Sequence, residues 1–313
     1  GDSEAYTHPL RLTRLIAAAA AVLATIKATA TMPTLLATPL DVQALDQRII
    51  NGTLECNDLA TDGLAVGRTQ HYLLTGLLVR NAVRYSYKLG DPAAPGYEVV
   101  MTDCHSLRPS TPLSAGSVGL FIDPNCTDNK ITSCVFMGSE AGVEVRSGGN
   151  NFTQVHTWSR GSVGWMKWGF VDSGGNNTYI GCYADTPQIY GWWRKTGATL
   201  TTWVGCRIYN NNLYGTDNVI YGIRNEGDGV YTSIGTVFSG QANSRLAGDF
   251  SLAALSAAST IVGSVLVNVV GTPTRQQIQG NLQIAGALYF YNTDQSDFGA
   301  NNYTIGPRHI YAT

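Results

Sequence analysis

One pentad pattern recurs nine times between residues 50 and 270, and it constrains the fold more than any other feature of the chain. It opens as Asn51-Gly-Thr-Leu-Glu55 and Thr75-Gly-Leu-Leu-Val79, then returns as Thr102-Asp-Cys-His-Ser106, Thr132-Ser-Cys-Val-Phe136 and Thr153-Gln-Val-His-Thr157. Ile180-Gly-Cys-Tyr-Ala184, Val204-Gly-Cys-Arg-Ile208, Ile234-Gly-Thr-Val-Phe238 and Val262-Gly-Ser-Val-Leu266 complete the series. Successive copies lie 21 to 30 residues apart. A unit of that length, with strand-like alternation and turns of variable length, marks a solenoid whose repeats bury their apolar sides against one another. The expected fold is all-β, a right-handed parallel β-helix with one strand-turn-strand-turn rung per repeat.

The columns of the repeat carry physical meaning. The third position (Thr53, Leu77, Cys104, Cys134, Val155, Cys182, Cys206, Thr236, Ser264) is small or apolar, as an inward stack requires. The residue before it is Gly in six of nine copies, which suits a bend where backbone passes close to backbone. By the period of two, the fifth position is inward as well, and the fourth and sixth face out. Two residues after the pentad come Asn57, Asn81, Asn210 and Asn268, expected to form a side-chain ladder at a turn. Four of the six cysteines then share one interior stack, as buried free thiols that behave like small hydrophobes.

Three regions are expected: a helical N-terminal cap over 1–48, the β-helix over 49–270, and a C-terminal β region with a trimerisation role over 271–313. The cap rests on the apolar, alanine-rich run over 15–26, with Thr13 as N-cap, and on a second short helix starting at Asp41. That run is too short to span a bilayer. Charged residues are 13% of the chain, about half the usual share. With a net charge of −2 there is no electrostatic case for nucleic acid or an anionic membrane as partner, and a neutral, hydroxyl-rich partner fits better. No motif for a metal or an organic cofactor is present.

The repeat followed by the terminal Gly306-Pro-Arg-His-Ile-Tyr-Ala-Thr313 resembles bacteriophage tailspikes and tail fibres of the pectin-lyase-like class. The resemblance covers residues 50–313. It implies a homotrimer on the virion tail that binds a bacterial surface polysaccharide, O-antigen or capsule, and in many members cuts it. The chain has fewer rungs than a full tailspike of this kind and no visible head domain for virion attachment. A non-enzymatic receptor-binding fibre and a secreted polysaccharide lyase or epimerase are the alternatives.

The outward positions of rungs five to seven single out one face: His156 and Trp158, Tyr183 and Asp185, Arg207 and Tyr209. At about 4.8 Å per rung these six side chains fit within one or two sugar rings. Trp158 and Tyr209 would offer flat apolar faces to a sugar, and His156, Tyr183, Asp185 and Arg207 are the candidate catalytic residues. A lyase needs a base and a cation, for which His156 or Tyr183 and Arg207 would serve. A hydrolase needs a second carboxyl beside Asp185, from Asp172, Glu140 or Glu144. The same face is equally suited to a subunit interface. A second cluster, Trp165, Lys167 and Trp168 with Trp192, Trp193, Arg194 and Lys195, is expected on loops. There Trp168, Trp192 and Trp193 are candidate substrate contacts, or else pack the loops.

Overall fold

The pentads become pairs of short strands. The computed structural model describes residues 24–38, 44–93, 95–108, 115–159, 166–209, 221–227 and 229–239, then strand segments alone from 248 to 290. In each middle rung one segment ends at the first pentad position and a second begins at the fourth: Lys130–Thr132 and Val135–Met137, Asn151–Thr153 and His156–Trp158, Asn177–Ile180 and Tyr183–Asp185, Leu200–Val204 and Arg207–Tyr209. Between them the second pentad residue takes a left-handed conformation in every described copy from Gly76 onward (φ 63° at Gly76, 51° at Asp103, 53° at Ser133 and Gln154, 59° at Gly181, 58° at Gly205, 60° at Gly235). This is why glycine dominates that position: a Cβ there costs about 1–2 kcal/mol, which only short or local hydrogen-bonding side chains commonly meet.

All pairings are parallel, each segment beside its counterpart one rung on. The described segments form a front sheet of 19, a rear sheet of 11 and a short third sheet of 4. The chain is thus an all-β parallel solenoid. The first rung departs from the expected register. Gly52 pairs with Leu77, Thr53 with Leu78 and Leu54 with Val79, so the pattern starts at Ile50 and Asn51 (φ 52°) is the bend. A one-residue slip flips every side chain. Leu54 and Cys56, expected outside, are buried, and Glu55 moves outside, where it accepts a hydrogen bond from Asn81 Nδ2 at 2.8 Å.

The core is a set of axial stacks. The third-position column Leu77, Cys104, Cys134, Val155, Cys182, Cys206 and Thr236 is buried, as is the fifth-position column Leu54, Val79, Ser106, Phe136, Thr157, Ala184 and Ile208. All six cysteines are free and buried. Burial pushes the Cys56 and Cys126 thiols up to about 12, which keeps them protonated and inert. Rings stack one rung apart, Phe152 on Tyr179 at 4.8 Å and Phe170 on Trp192 at 4.3 Å, pairs typically worth about 0.5–1.5 kcal/mol beyond area burial. A glycine column, Gly119, Gly142, Gly169 and Gly191, lets the rear sheet close over these stacks. A Cβ on any of them would meet the carbonyl of the glycine one rung on at 2.6 to 2.8 Å.

The asparagine ladder lies at the opposite turn from the expected one. Asn129 Nδ2 donates to Asn150 Oδ1 at 2.7 Å, and Asn150 Nδ2 to Asn177 Oδ1 at 3.0 Å. In the expected column, Asn57 donates instead to the Ala28 carbonyl and Asn81 to Glu55, while Asn210 and Asn268 lie outside the described residues. At the N-terminal end the described residues of the expected helical cap are short strands and the turns between them. Thr25–Lys27 and Met32–Ala37 pair in parallel with Arg48–Glu55 and Ala60–Val66, so they already form a rung. Thr13 and nearly all of the 15–26 run lie outside the described residues, as does Asp41. Parallel pairing continues past 270, with Gln276–Gln279, Gln283–Ile284 and Tyr289–Phe290 extending the front and rear sheets. The terminal motif from Gly306 lies outside the described residues.

Candidate functional site

The register of the front sheet brings the six outward residues together. His156 pairs with Tyr183 and Tyr183 with Arg207, while Trp158 pairs with Asp185 and Asp185 with Tyr209. The His156 and Tyr183 rings stack at 4.6 Å, within 7° of parallel, and Tyr209 meets Tyr183 edge-on at 6.4 Å. The Arg207 guanidinium lies 5.6 Å from the Tyr183 ring and 5.3 Å from the Tyr209 ring. Trp158 is exposed, its ring 6.4 Å from His156 and nearly parallel to it. His156 Nε2 is 3.7 Å from Asp185 Oδ2, and the Asp185 side chain is largely covered.

These contacts assign different chemistry to neighbouring groups. Burial, then the charge of Asp185, push the Tyr183 phenol up to about 12 against the opposing pull of Arg207. Tyr183 is therefore a proton donor at neutral pH and a poor base. His156 Nε2 is buried without a hydrogen-bond partner, and the Asp185 carboxylate is the charged group facing it. Arg207 supplies the positive charge. Trp158 and Tyr209 flank the group with aromatic surface.

The proposed second carboxylates for a hydrolase do not reach this face. Asp172 is fully buried inside the solenoid, where it accepts from Asn177 Nδ2 at 2.8 Å, the Gly174 amide at 3.0 Å and Thr201 Oγ1 at 3.2 Å. Glu144 is on the rear sheet, paired with Arg146 at 2.7 Å. Glu140 lies in the turn before that sheet and pairs with Lys167 at 2.7 Å.

The second aromatic cluster is on strands, not loops. Trp168–Asp172 and Tyr190–Arg194 are adjacent in the rear sheet. Trp192 has no exposed surface and stacks in the core, which removes it as a substrate contact. Trp168 and Trp193 face outward, 5.2 Å apart. Trp193 Nε1 donates to Glu226 at 2.9 Å and Lys195 caps its ring at 4.3 Å, so these rings are partly covered by their own neighbours. Trp165 lies outside the described residues. Arg194 also points in, its guanidinium donating to Asn225 Oδ1 at 2.8 Å and the Ala198 carbonyl at 2.7 Å.

A row of ionisable side chains at another corner, Asp46, His71, Glu98 and Asp128, is not evident from motif inspection. Its signal is positional: each stands four residues before the first pentad position of its rung, once the first rung is read from Ile50.

No protein-family model matches this chain, and no curated protein does. Among solved structures it is similar to an alginate lyase from Paenibacillus sp. str. FPU-7, with 13% identity, 77% of this chain and 99% of that one covered, and a TM-score of 0.40. Full-length tailspike protein 2 of the Escherichia coli O157:H7 bacteriophage CAB120 has 13% identity over 74% of this chain, at a TM-score of 0.35. This chain spans 38% of that tailspike's length. PfbA, a surface adhesin of Streptococcus pneumoniae, has 8% identity, with 79% of this chain and 72% of that one covered, at a TM-score of 0.38. Similarity at this level concerns the β-helix type of fold.

Proposed function

We propose that this chain is a right-handed β-helix tailspike of a bacteriophage, a homotrimer on the virion tail that binds and cuts a bacterial surface polysaccharide. The observation that carries the reading is the face built by His156, Trp158, Tyr183, Asp185, Arg207 and Tyr209. Three consecutive rungs there expose aromatic planes beside a base, an acid and a fixed cation. The terminal Gly306–Thr313 motif and the near-neutral charge support the phage and polysaccharide parts.

The arrangement favours a lyase over a hydrolase, because the face offers one carboxylate and that one is turned to His156. In this reading His156, oriented by Asp185, takes the proton beside the uronate carboxyl of the substrate. The electrons of that C–H bond form a ring double bond as the neighbouring glycosidic C–O bond breaks. Tyr183 gives its proton to the departing oxygen, and Arg207 offsets the charge that builds on the carboxyl. Trp158 and Tyr209 hold the flanking sugars.

Incubation with host surface polysaccharide, read by product size and by absorbance of the new double bond, tests this directly. Shortened products with that absorbance are expected. His156→Ala should lower the cutting rate on the order of 100-fold or more with the thermal transition unchanged. Intact polysaccharide would sink the enzyme claim, and retained cleavage in the variant would rule out this face. Binding without shortening would favour a non-enzymatic receptor-binding fibre of the same architecture.

A further inference from the structure

A cleft of about 380 Å³ opens where the third sheet meets the front sheet, on the rungs that precede the one carrying His156. One wall is the corner row Asp46, His71, Glu98 and Asp128, one residue per rung. All four hold the left-handed conformation, with φ between 50° and 61°. The next rung places Gly149 (φ 77°) at the same point, so the corner accepts glycine, and the four ionisable residues keep side chains where glycine is the easier choice.

The second wall is the adjacent outward column, Arg48, Leu73, Val100 and Lys130. Its two middle residues make an apolar floor, and a cation stands at each end. His71 bridges three rungs, with Nδ1 3.6 Å from Asp46 Oδ1 and Nε2 against Glu98 Oε2. The His71 and Glu98 side chains are about half exposed, so a ligand can reach them. No group of described residues has the arrangement of a metal site.

We propose that this cleft is a second saccharide-binding site, taking a short neutral, hydroxyl-rich glycan segment. Carboxylates accept hydrogen bonds from vicinal hydroxyls, Arg48 and Lys130 donate to hydroxyl and ring oxygens, and Leu73 and Val100 meet the C–H face of a ring. Three carboxylates against two fixed cations and an imidazole leave the cleft close to charge balance, which selects against a strongly charged ligand. The site adds to the polysaccharide reading and rests on it. Cleft and His156 face are separated by roughly 15–20 Å along the axis at about 4.8 Å per rung, so one glycan chain can engage both.

An array of defined neutral and uronate-containing oligosaccharides, probed with the full chain, tests the site. The wild type should retain neutral oligosaccharides, Glu98→Gln and His71→Ala should weaken that retention about tenfold or more, and Arg146→Ala on the rear sheet should leave it unchanged. Thermal unfolding of each variant is followed in parallel, and Arg48→Met replaces any cleft variant that melts early. Neutral glycans retained equally by the cleft variants, or none retained by the wild type, overturn the proposal. Loss confined to Trp158→Ala also overturns it while leaving the His156 face intact as a binding site. Loss confined to the cleft variants supports it, and the cutting assay then decides the fate of that face separately.

Discussion

Gly205 and Gly169 show that the same residue type is required for two unrelated reasons. Gly205 has a φ of 58° and nothing within 4 Å of where a Cβ would stand. Gly169 lacks a positive φ, but a Cβ there would lie 2.6 Å from the Gly191 carbonyl and 2.8 Å from Ala184 Cβ. Gly205→Ala should therefore cost about 1–2 kcal/mol from backbone conformation alone. Gly169→Ala should cost more, because two rungs must part or the interior must shift. Urea unfolding of both variants checks the order, and equal losses would mean that the clash is relieved by small backbone movement. The bend glycines are legible in the sequence as a repeating column. The packing glycines are not, since nothing in the sequence says which turn of the rung is pressed against its neighbour.

Between strands, the rear sheet changes character part-way along. Its inward column runs Val66, Leu89, Ile122 and Val145, then turns polar with Asp172, Arg194 and Asn225. Arg194 Nε donates to Thr201 Oγ1 at 3.0 Å, and Thr201 in turn donates to Asp172 Oδ2. Burial pushes the Asp172 carboxyl up to about 6, only partly offset by its hydrogen bonds and by Arg194. The folded state thus holds this proton to higher pH than the unfolded chain, whose carboxyl titrates near the ordinary 3.8. Its contribution to stability is full below about pH 4 and is lost as pH rises through about 6. Relative to Asp172→Asn, the wild type should lose on the order of 2–3 kcal/mol between pH 4 and pH 7. Unfolding free energies of the pair across that range test it, and a constant gap would show that Asp172 does not titrate there. The sequence places Asp172 among candidate carboxylates, but alternation alone does not reveal that Trp168 faces outward while Phe170 and Asp172 of the same strand face in.

Across the whole molecule, the outward column at the first pentad position divides the front sheet in two. Thr75, Thr102, Thr132 and Thr153 are followed in register by Ile180, Val204 and Ile234. Ile180, Ile234 and the neighbouring Val237 are 43%, 41% and 36% exposed, so this half of the front sheet presents aliphatic side chains to solvent. Association of identical chains along this half would cover them. The wild type is expected to elute with a mass near three times 33.5 kDa by light scattering. Ile180→Asp with Ile234→Asp should shift it to the single-chain mass by burying two unpaired charges in the interface. A monomeric wild type would remove the trimer from the proposal. If Trp158→Ala also dissolves the assembly, the aromatic face belongs to the interface rather than to the glycan.

The sequence by itself determined the solenoid, the alternation of its pentads, the free interior cysteines and the shared face of His156, Tyr183 and Arg207. All of these follow from a fixed spacing and a side-chain period of two. Tertiary structure decided the first-rung register, the strands Thr25–Lys27 and Met32–Ala37, the burial of Trp192 and Asp172, and the cleft at His71. Each depends on which backbone surfaces press together between turns of unequal length, and that information is carried by packing across rungs rather than by order along the chain.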